Sequence, residues 1–341
     1  MAKIITMYNN KGGVSKTTTL FNLAVLLSQQ DKKVLLVDCD PQCNATELFF
    51  ASTEFLDDPN VELPGTSIYQ ALEPRFQGET KSVNPDAVKL VPSNLYPNLS
   101  ILRGDLQFTT AENYFGTAWN QAITENVNEK NTYVAMYRML HSLAGLHRFD
   151  YVLCDVGPST GAISRTVILA SDGFVLPLTP DRFCFQAVRV LGEVVNEWIR
   201  RHDQISDTFA PFGLETFPGH PVLLGAIIQN FKVHGGKVKK SYHEWQGRIS
   251  ENIRTNLLGE TGVQAGKHCN PSDPFVATIR DVGPLAPVAQ MFGRAIFDIQ
   301  QDHTEQASSD GRKYYGVVWG DWVQRMDEYR AEIQKVVEVL P

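Results

Sequence analysis

A short apolar strand, a glycine-containing loop and a helix open this chain, and their order constrains the fold more than any other feature. Lys3–Tyr8 has the pattern of a buried strand, Asn9–Lys16 that of a loop, and Thr17–Gln30 the spacing of a helix. A second apolar run, Val34–Val37, follows and leads into Asp38. Strand, loop, helix and strand in this order form a βαβ unit, whose strands are parallel. The sequence therefore predicts an α/β fold.

The same alternation recurs further along the chain. The apolar patterns predict strands at 99–103, 151–154, 174–178 and 222–230, and helices at 110–125, 133–146, 161–170 and 183–201. We therefore expect a doubly wound, mostly parallel sheet with helices on both faces. Residues 51–100 contain six prolines and little periodicity, which is typical of a loop-rich insertion. We treat 51–148 as a variable part of a single domain that spans 1–341.

Composition and charge narrow the class of protein. The net charge of −7 disfavours a wholly basic nucleic-acid coat, although a local basic patch is still compatible with it. The five cysteines include no CxxC pair, which favours reduced thiols. The sequence contains neither a secretion signal at its start nor an apolar run of about 20 residues. These features favour a cytoplasmic protein, with association with the nucleoid as a further alternative.

The loop after the first strand has the residues of a phosphate-binding site. Glycines let the backbone approach phosphate oxygens, and the start of a helix directs N–H groups toward an anion. We expect Lys16 at the β- and γ-phosphates of ATP and the Thr17 hydroxyl on Mg²⁺. The expected nucleotide-binding residues of the loop are Lys11, Gly12, Gly13, Val14, Ser15, Lys16, Thr17 and Thr18.

The usual pattern for such a loop, G-x-x-x-x-G-K-[ST], fails at two positions. Asn10 stands at its first glycine and Ser15 at its last. On this pattern alone, a glycine turn that merely opens a helix is an open alternative.

The loop resembles that of the ParA/MinD family, which has the sequence K-G-G-V-G-K-T-T, and only Ser15 departs from it. The resemblance implies a P-loop NTPase that dimerises around ATP and uses Mg²⁺. It also implies that Lys11 reaches the phosphate bound by the partner subunit, and that Lys11, Lys16 and Asp40 are the catalytic residues.

Two further segments resemble motifs of the same family, in the same order. Residues 38–46 are similar to D-x-D-P-Q-G-N-A-T, with Cys43 in place of the glycine, and residues 155–161 are similar to D-x-x-P-x-x-G. The resemblance implies that Asp40 positions the attacking water, that Asp38 supports Mg²⁺ through its water shell, and that Asp155 lies near the metal. An acidic turn after a strand is the simpler alternative for the first segment. Asn230 is a candidate for the adenine contact, and a strand-end turn is an equally good interpretation of it.

The family resemblance implies that ATP controls binding to DNA or to a membrane. The stretch from residue 232 to 254 has six basic and two acidic residues, and a nonspecific DNA surface or a merely solvated helix would both explain it. The candidate DNA-binding residues are Lys237, Lys239, Lys240 and Arg248. A C-terminal helix at Gly320–Leu340 has an apolar stripe that a MinD-like protein could place in a membrane. Its acidic balance favours packing onto the domain or against a partner.

The sequence also bears on a partner of the ATPase and on two other classes of protein. The resemblance implies a partner, either a protein activator or a cargo adaptor. The nitrogenase iron protein shares the deviant loop, but it requires cysteines that bridge a cluster across the dimer, and Cys154 is predicted to be buried in a strand. A scaffold that binds ATP with negligible turnover would not require Asp40. The sequence therefore favours an ATPase.

Overall fold

The computed structural model describes residues 2–53, 61–231, 240–259, 262–308 and 311–341, except for the side chains of 230–231 and 240–241. Its strands are β1 (Lys3–Met7), β2 (Val34–Asp38), β3 (Val91–Pro92), β4 (Leu99–Leu102), β5 (Tyr151–Asp155), β6 (Gly173–Leu178), β7 (Val222–Phe231) and β8 (Phe275–Arg280). Its longer helices are α1 (Lys16–Gln29), α4 (Ala111–Gln121), α5 (Val127–His147), α7 (Arg182–Ser206), α8 (Lys240–Asn252) and α11 (Gly316–Glu338). The shorter ones are α2 (Asn44–Phe50), α3 (Ile68–Phe76), α6 (Ala162–Ala170), α9 (Leu285–Met291) and α10 (Gln301–Ala307).

The strands form one sheet in the order β3-β4-β2-β5-β1-β6-β7-β8. Every neighbouring pair is parallel except β3 with β4, which is antiparallel. The strand β1 therefore lies between β5 and β6, and β2 lies on the far side of β5. Because parallel strands end at the same edge, the loops after β1, β2 and β5 meet there.

The sheet is buried on both faces. Neighbouring residues of β1 point to opposite sides: Ile4 packs in one apolar layer and Ile5 in the other, and neither is exposed. The helices α3 to α7 contribute to the first layer, and α1, α2, α9 and α11 to the second. This arrangement confirms the predicted fold class, a mostly parallel sheet with helices on both faces.

Several helices extend beyond their predicted ends, and capping side chains account for two of the starts. The helix α5 begins at Val127 and not at residue 133, because the Asn126 side chain accepts a hydrogen bond from Glu129 N at 3.3 Å. The helix α7 begins after Asp181, whose carboxylate accepts from Cys184 N at 2.8 Å. The C-terminal helix begins at Gly316, four residues before the predicted start.

Residues 51–100 are less irregular than the sequence predicts. Pro74, which indicated a loop, lies inside α3. A capping box between Ser67 and Gln70 stabilises the start of that helix, and Pro74 lies close to its end. The strand β4 pairs with β2, and α4 and α5 pack in the first apolar layer. The strand and the two helices that the sequence predicts in the second half of 51–148 are therefore present, as part of the sheet and its helical layer.

The apolar stripe of the C-terminal helix is buried within the protein. It consists of Trp322, Met326, Tyr329, Ile333, Val336 and Leu340. These side chains belong to the same layer as α1, and β8 and α1 are the main neighbours of α11. This is the packing onto the domain that the acidic balance of the helix favours. Within the described ranges, no helix is both long enough and apolar enough to span a bilayer.

Candidate nucleotide site

The loop between β1 and α1 is anchored to the neighbouring strand by Asn9. The Asn9 side chain donates to the carbonyl of Pro177 in β6 at 2.8 Å and accepts from Lys11 N at 2.9 Å. Gly13 has a φ of +72°, a conformation that glycine adopts without steric cost. The loop therefore has a fixed position at the edge of the sheet, directly before the first turn of α1.

Lys16 is folded over its own loop. Its ammonium group donates to the carbonyls of Asn9 at 3.1 Å and Lys11 at 3.3 Å, and the residue is 8% exposed. Burial lowers the pKa of Lys16, and the carboxylates of Asp155 and Asp40 offset part of this effect. A buried cation at the start of a helix is a favourable site for a phosphate group.

Lys11 is held by residues of its own chain. Its Nζ atom lies 2.8 Å from Asp181 Oδ2 and donates to Thr179 Oγ1 at 2.9 Å. Burial alone would lower the pKa of Lys11, but Asp181 and Cys184 together outweigh it, so the pKa is raised. The exposed ring of Phe183 lies 5.8 Å from the same ammonium group. In this structure the Lys11 side chain therefore contacts the segment after β6. Lys16 is the lysine whose ammonium group lies over the phosphate loop.

The two motif positions where glycine is replaced share one backbone conformation. Ser15 has φ and ψ of 57° and 31°, and Cys43 has 58° and 27°. Both are left-handed, and both residues directly precede a helix, α1 and α2 respectively. A left-handed conformation costs a residue with a Cβ atom about 1–2 kcal/mol. Ser15 and Cys43 therefore keep the left-handed backbone that a glycine adopts without steric cost, and they add strain to it.

Asp38 and Asp155 lie side by side at the ends of β2 and β5, where they are in register. Neither residue is exposed. The Asp38 carboxylate accepts from Thr46 N at 2.8 Å and from Thr46 Oγ1 at 2.7 Å. Thr17 lies close enough to Asp155 to lower its pKa slightly, but neither Asp155 oxygen has a hydrogen bond of normal geometry within the described part of the chain.

The electrostatics of this pair are unfavourable without a cation. Burial raises the pKa of Asp38 to about 6, and its hydrogen bonds from Thr46 offset part of the rise. Burial and then the neighbouring Asp38 raise the pKa of Asp155 to about 8. A buried carboxylate that lacks a partner either becomes protonated or requires a positive neighbour.

The residues present fit a hydrated Mg²⁺ ion. Mg²⁺ keeps several of its waters and commonly uses one or two carboxylates together with phosphate oxygens. Asp155 has unpartnered oxygens and Asp38 lies beside it, and Thr17 is next to Lys16 at the start of α1. Among the described residues, no group of three or more His, Cys, Asp or Glu side chains could enclose an ion by itself. The geometry therefore fits an ion that is shared with a ligand.

Asp40 lies where the segment after β2 (38–46) meets the segment after β5 (155–161), and we call these two the switch-like segments. Gln42 N donates to Asp40 Oδ1 at 3.0 Å, which orients the carboxylate. A Cβ atom on Gly157 would lie 3.2 Å from that carboxylate, so only glycine leaves this contact unstrained. Pro158 in turn packs near Gly12 of the loop. The segment after β5 therefore contacts both Asp40 and the phosphate loop.

These elements surround one cleft of about 660 Å³. It is lined by Gly12, Gly13, Val14, Ser15, Lys16, Thr17, Thr18 and Asp40, together with Val156 and Pro158. The structure thus brings seven of the eight loop residues and Asp40 together, while the Lys11 side chain points away toward Asp181.

The cleft also has residues that sequence reasoning missed. Asn44, Glu47, Leu48 and Ala51 line it, and so do Gln42 and Gln290. The first four have the spacing of one helix face, which would have indicated that α2 borders the site. Gln290 belongs to α9, far along the sequence, and no local signal identifies it.

The remaining site predictions lie partly outside the described residues. Asn230 is in β7, but its side chain is outside the described part, and so is that of Lys240 at the start of α8. Lys237 and Lys239 lie in the range 232–239, which the structure does not describe. Arg248 is exposed on α8, with its guanidinium 5.1 Å from the centre of the Trp245 ring.

A sequence model of the AAA domain family matches residues 2–206, more than half of the chain. The chain belongs to this family, and its motifs are those of the ParA/MinD-type P-loop ATPases. The sporulation initiation inhibitor Soj of Bacillus subtilis is 29% identical over 191 residues, which cover 56% of this chain and 64% of Soj. The chromosome partitioning protein ParA of Myxococcus xanthus is 30% identical over 196 residues, 58% of this chain and 59% of that protein. The matched part of the chain thus spans between half and two thirds of the length of these two relatives.

Solved structures support the same fold. A protein from Corynebacterium diphtheriae superimposes with a TM-score of 0.68 at 23% identity, covering 91% of this chain and all of that one. An ATP complex of a McdA variant from Cyanothece gives a TM-score of 0.63 at 17% identity, covering 100% of this chain and 98% of the other. A plasmid partition protein of Borrelia burgdorferi bound to AMPPNP gives 0.52 at 19% identity, with 99% and 98% coverage. The ParA/MinD resemblance and the P-loop NTPase fold are confirmed.

The left-handed conformation of Ser15 leads to a first prediction. Ser15→Gly should be more stable than Ser15→Ala by about 1 kcal/mol, because both changes remove the hydroxyl and only glycine relieves the positive φ. Chemical denaturation of the two variants measures the difference. An alanine variant as stable as the glycine variant would show that the left-handed conformation costs nothing here.

The unpartnered Asp155 carboxylate leads to a second prediction. Asp155→Asn should stabilise the protein by about 1–3 kcal/mol at pH 8 without metal or nucleotide, because it removes a buried negative charge beside Asp38. It should also remove most of the stabilisation that Mg²⁺ and ATP give the unaltered chain. Chemical denaturation with and without Mg²⁺ and ATP tests both parts, with the exposed Asp86→Asn as control.

The folding stability of the metal-free protein should change with pH in a defined direction. Because both pKa values are raised, the folded metal-free chain retains protons that the unfolded chain releases above about pH 4. The stability of the metal-free protein should therefore fall between about pH 4 and pH 8, and less steeply in Asp155→Asn. Equal slopes for the variant and the unaltered chain would contradict this account of the pair.

Proposed function

We propose that this protein is a slow, Mg²⁺-dependent ATPase that acts as one half of a homodimer and couples its ATP state to nonspecific DNA and to a partner protein. The observation that carries the proposal is that the phosphate loop and Asp40 line the same cleft. The partitioning protein among its relatives supports a role in partition or positioning. The five free cysteines support a cytoplasmic location. Binding to DNA would place the protein at the nucleoid.

Binding of the ATP phosphates is the first part of the mechanism. The ammonium group of Lys16 now donates to two loop carbonyls, and the β- and γ-phosphate oxygens would take over these bonds. The free N–H groups at the start of α1 add a positive potential at the same place. Mg²⁺ would be held by the Thr17 hydroxyl and, through its water shell, by Asp38 and Asp155, where it supplies positive charge that neutralises the phosphates.

Orientation of the attacking water is the second part. Asp40 lines the cleft together with Glu47, and Gln42 N fixes the direction of the Asp40 carboxylate. Gly157 lies against it without a side chain, which allows close approach of the segment after β5. We assign Asp40 to the water, since phosphoryl transfer requires positioning and electrostatic stabilisation more than covalent chemistry. A scaffold without turnover would have no use for this residue.

The proposed dimer depends on Lys11. It belongs to the phosphate loop, yet its side chain is bound to Asp181 and Thr179 on the surface of its own subunit. Exchange of this ion pair for the γ-phosphate of ATP in a second copy would neutralise charge there. Dimer formation and ATP binding would then depend on each other.

The surface for nonspecific DNA is proposed around α8. Arg248 is exposed on this helix, and the sequence before it contains Lys237, Lys239 and Lys240. Phosphate contacts by such residues are independent of sequence and depend on salt. The partner that stimulates turnover or carries cargo is proposed from the family alone.

A pair of variants separates the roles of Asp40 and Lys11. Asp40→Ala should lower ATP turnover by about 100-fold or more while it still dimerises with ATP, because only the water loses its acceptor. Lys11→Ala should lose the ATP-dependent dimer. Steady-state hydrolysis and light scattering measure the two effects, and Lys335→Ala, which also breaks a lysine ion pair, is the control. Unchanged turnover in Asp40→Ala refutes its role, and an intact dimer in Lys11→Ala refutes the contact across the interface.

Binding to DNA should respond to salt through the basic stretch. Replacement of Lys237, Lys239 and Lys240 by alanine should weaken ATP-dependent binding to any duplex. It should also reduce the slope of log K against log salt by about 0.9 for each DNA phosphate that a lysine no longer neutralises. Fluorescence anisotropy over a salt series measures this slope. A triple variant of the exposed Lys32, Lys33 and Lys89 has the same change in charge and should retain the original slope. Equal slopes in the two triple variants would exclude this DNA surface.

A further inference from the structure

The N-terminus of α6 is capped by a carboxylate from another helix. Glu112, the second residue of α4, accepts from Ala162 N at 2.5 Å through Oε2 and from Ile163 N at 3.3 Å through Oε1. The residue before the helix, Gly161, has no side chain that could act as a cap. A Cβ atom there would lie 2.5 Å from the Glu112 carboxylate, so glycine makes the contact possible. Both oxygens of Glu112 thus satisfy N–H groups that α6 itself leaves unpaired.

The capped helix directly follows the segment that contacts the cleft. Gly157 lies against the Asp40 carboxylate, and Pro158 packs near Gly12 of the phosphate loop. The middle of this segment is held by the Tyr8 hydroxyl, which donates to the Ser159 carbonyl at 2.8 Å. Its end is the start of α6, where Glu112 is the cap. A shift of that end would therefore change the contact between Gly157 and Asp40.

The residues just before α4 contact the other switch-like segment. Gly104 N donates to Thr46 Oγ1 at 2.7 Å, and the same hydroxyl donates to Asp38 Oδ2. A Cβ atom on Gly104 would lie 2.9 Å from both Asp38 Oδ2 and Cys43 Sγ. The stretch 104–112, which we call the bridge, therefore connects the segment after β2 to the segment after β5.

We propose that Glu112 is a positioning residue for ATP hydrolysis: through the N-terminus of α6 it holds the segment 156–161 at the place where Gly157 supports Asp40. The bridge then makes the two switch-like segments move together, because it is bonded to both of them. This inference rests on the proposed function, since positioning has a consequence only if the cleft hydrolyses ATP. Glu112 is absent from the residues that line the cleft, so its removal should affect turnover and leave nucleotide binding unchanged.

Three variants of Glu112 test the proposal. Glu112→Ala removes both acceptors and should lower kcat roughly 10- to 100-fold, since small misplacements near the chemistry cost that much. The KM for ATP and the affinity for ADP should stay within about twofold, because the phosphate loop is untouched. Glu112→Gln keeps one acceptor and should restore part of kcat. Glu112→Asp keeps the charge but is too short to reach both amides, and it should stay close to the alanine variant.

The control is another side-chain helix cap, Asn126 at the start of α5, whose hydrogen bonds join it to residues 121–130 and to neither switch-like segment. Asn126→Ala removes the side chain that caps α5 and should cost a similar amount of stability, about 1 kcal/mol, without any change in kcat. Amide hydrogen exchange is the second measurement. The peptide containing Ala162 and Ile163 should exchange roughly tenfold faster in Glu112→Ala and at the original rate in Asn126→Ala.

The outcomes are distinct. If the unaltered protein hydrolyses ATP and Glu112→Ala has the same kcat, the positioning role is wrong and the proposed function stands. A loss of kcat that Asn126→Ala reproduces, or that the glutamine variant does not relieve, shows a purely structural role and also refutes the proposal. If the unaltered protein does not hydrolyse ATP, the proposed function and this inference both fail, whatever the exchange data show.

Discussion

The parallel pairing of β2 with β5 determines most of the chemistry at this site. Because their last residues are in register, Asp38 and Asp155 lie next to each other in the interior. Two adjacent buried carboxylates repel each other when both are charged, and burial already disfavours the charge of each. The fold therefore maintains an unfavourable arrangement that a cation would relieve. Stability and ligand binding are coupled through this pair, since whatever neutralises it also stabilises the folded chain.

The phosphate loop departs from the usual sequence pattern but keeps the backbone conformation that the pattern requires. The sequence predicted the strand, the loop and the helix from their order, and the two carboxylate segments followed from the same βαβ logic. Ser15 was the residue that the pattern could not explain. Its left-handed backbone shows that the position requires a conformation and not a particular side chain. Cys43 has the same left-handed backbone before α2, so one conformational requirement explains both positions where a glycine is replaced.

Other contacts were beyond the reach of the sequence because they join residues distant in the chain. Glu112 and Ala162 are fifty residues apart, and only the packing of α4 beside α6 brings them together. The same holds for Lys11 and Asp181, and for Gln290 at the cleft. Periodicity identifies which face of an element is buried, but it does not identify which other element covers it. The region 51–148, which had no motif to guide its interpretation, is therefore where the sequence predicted least and the bridge was found.

The ion pair of Lys11 with Asp181 could be taken as an obstacle to any role of Lys11 in a second subunit. The free energy of this ion pair is too small to prevent such a role. The two side chains are 28% and 38% exposed, and ion pairs that are reached by water contribute about 0–1 kcal/mol. A hydrogen bond from the same ammonium group to a phosphate is charge-assisted on both sides, as the bond to Asp181 is, so the exchange would replace one such bond by another. The present contact is therefore weak enough to exchange, yet it orders a long side chain beside the loop. Lys11 would enter a dimer with part of its conformational entropy already lost, which lowers the cost of the new contact.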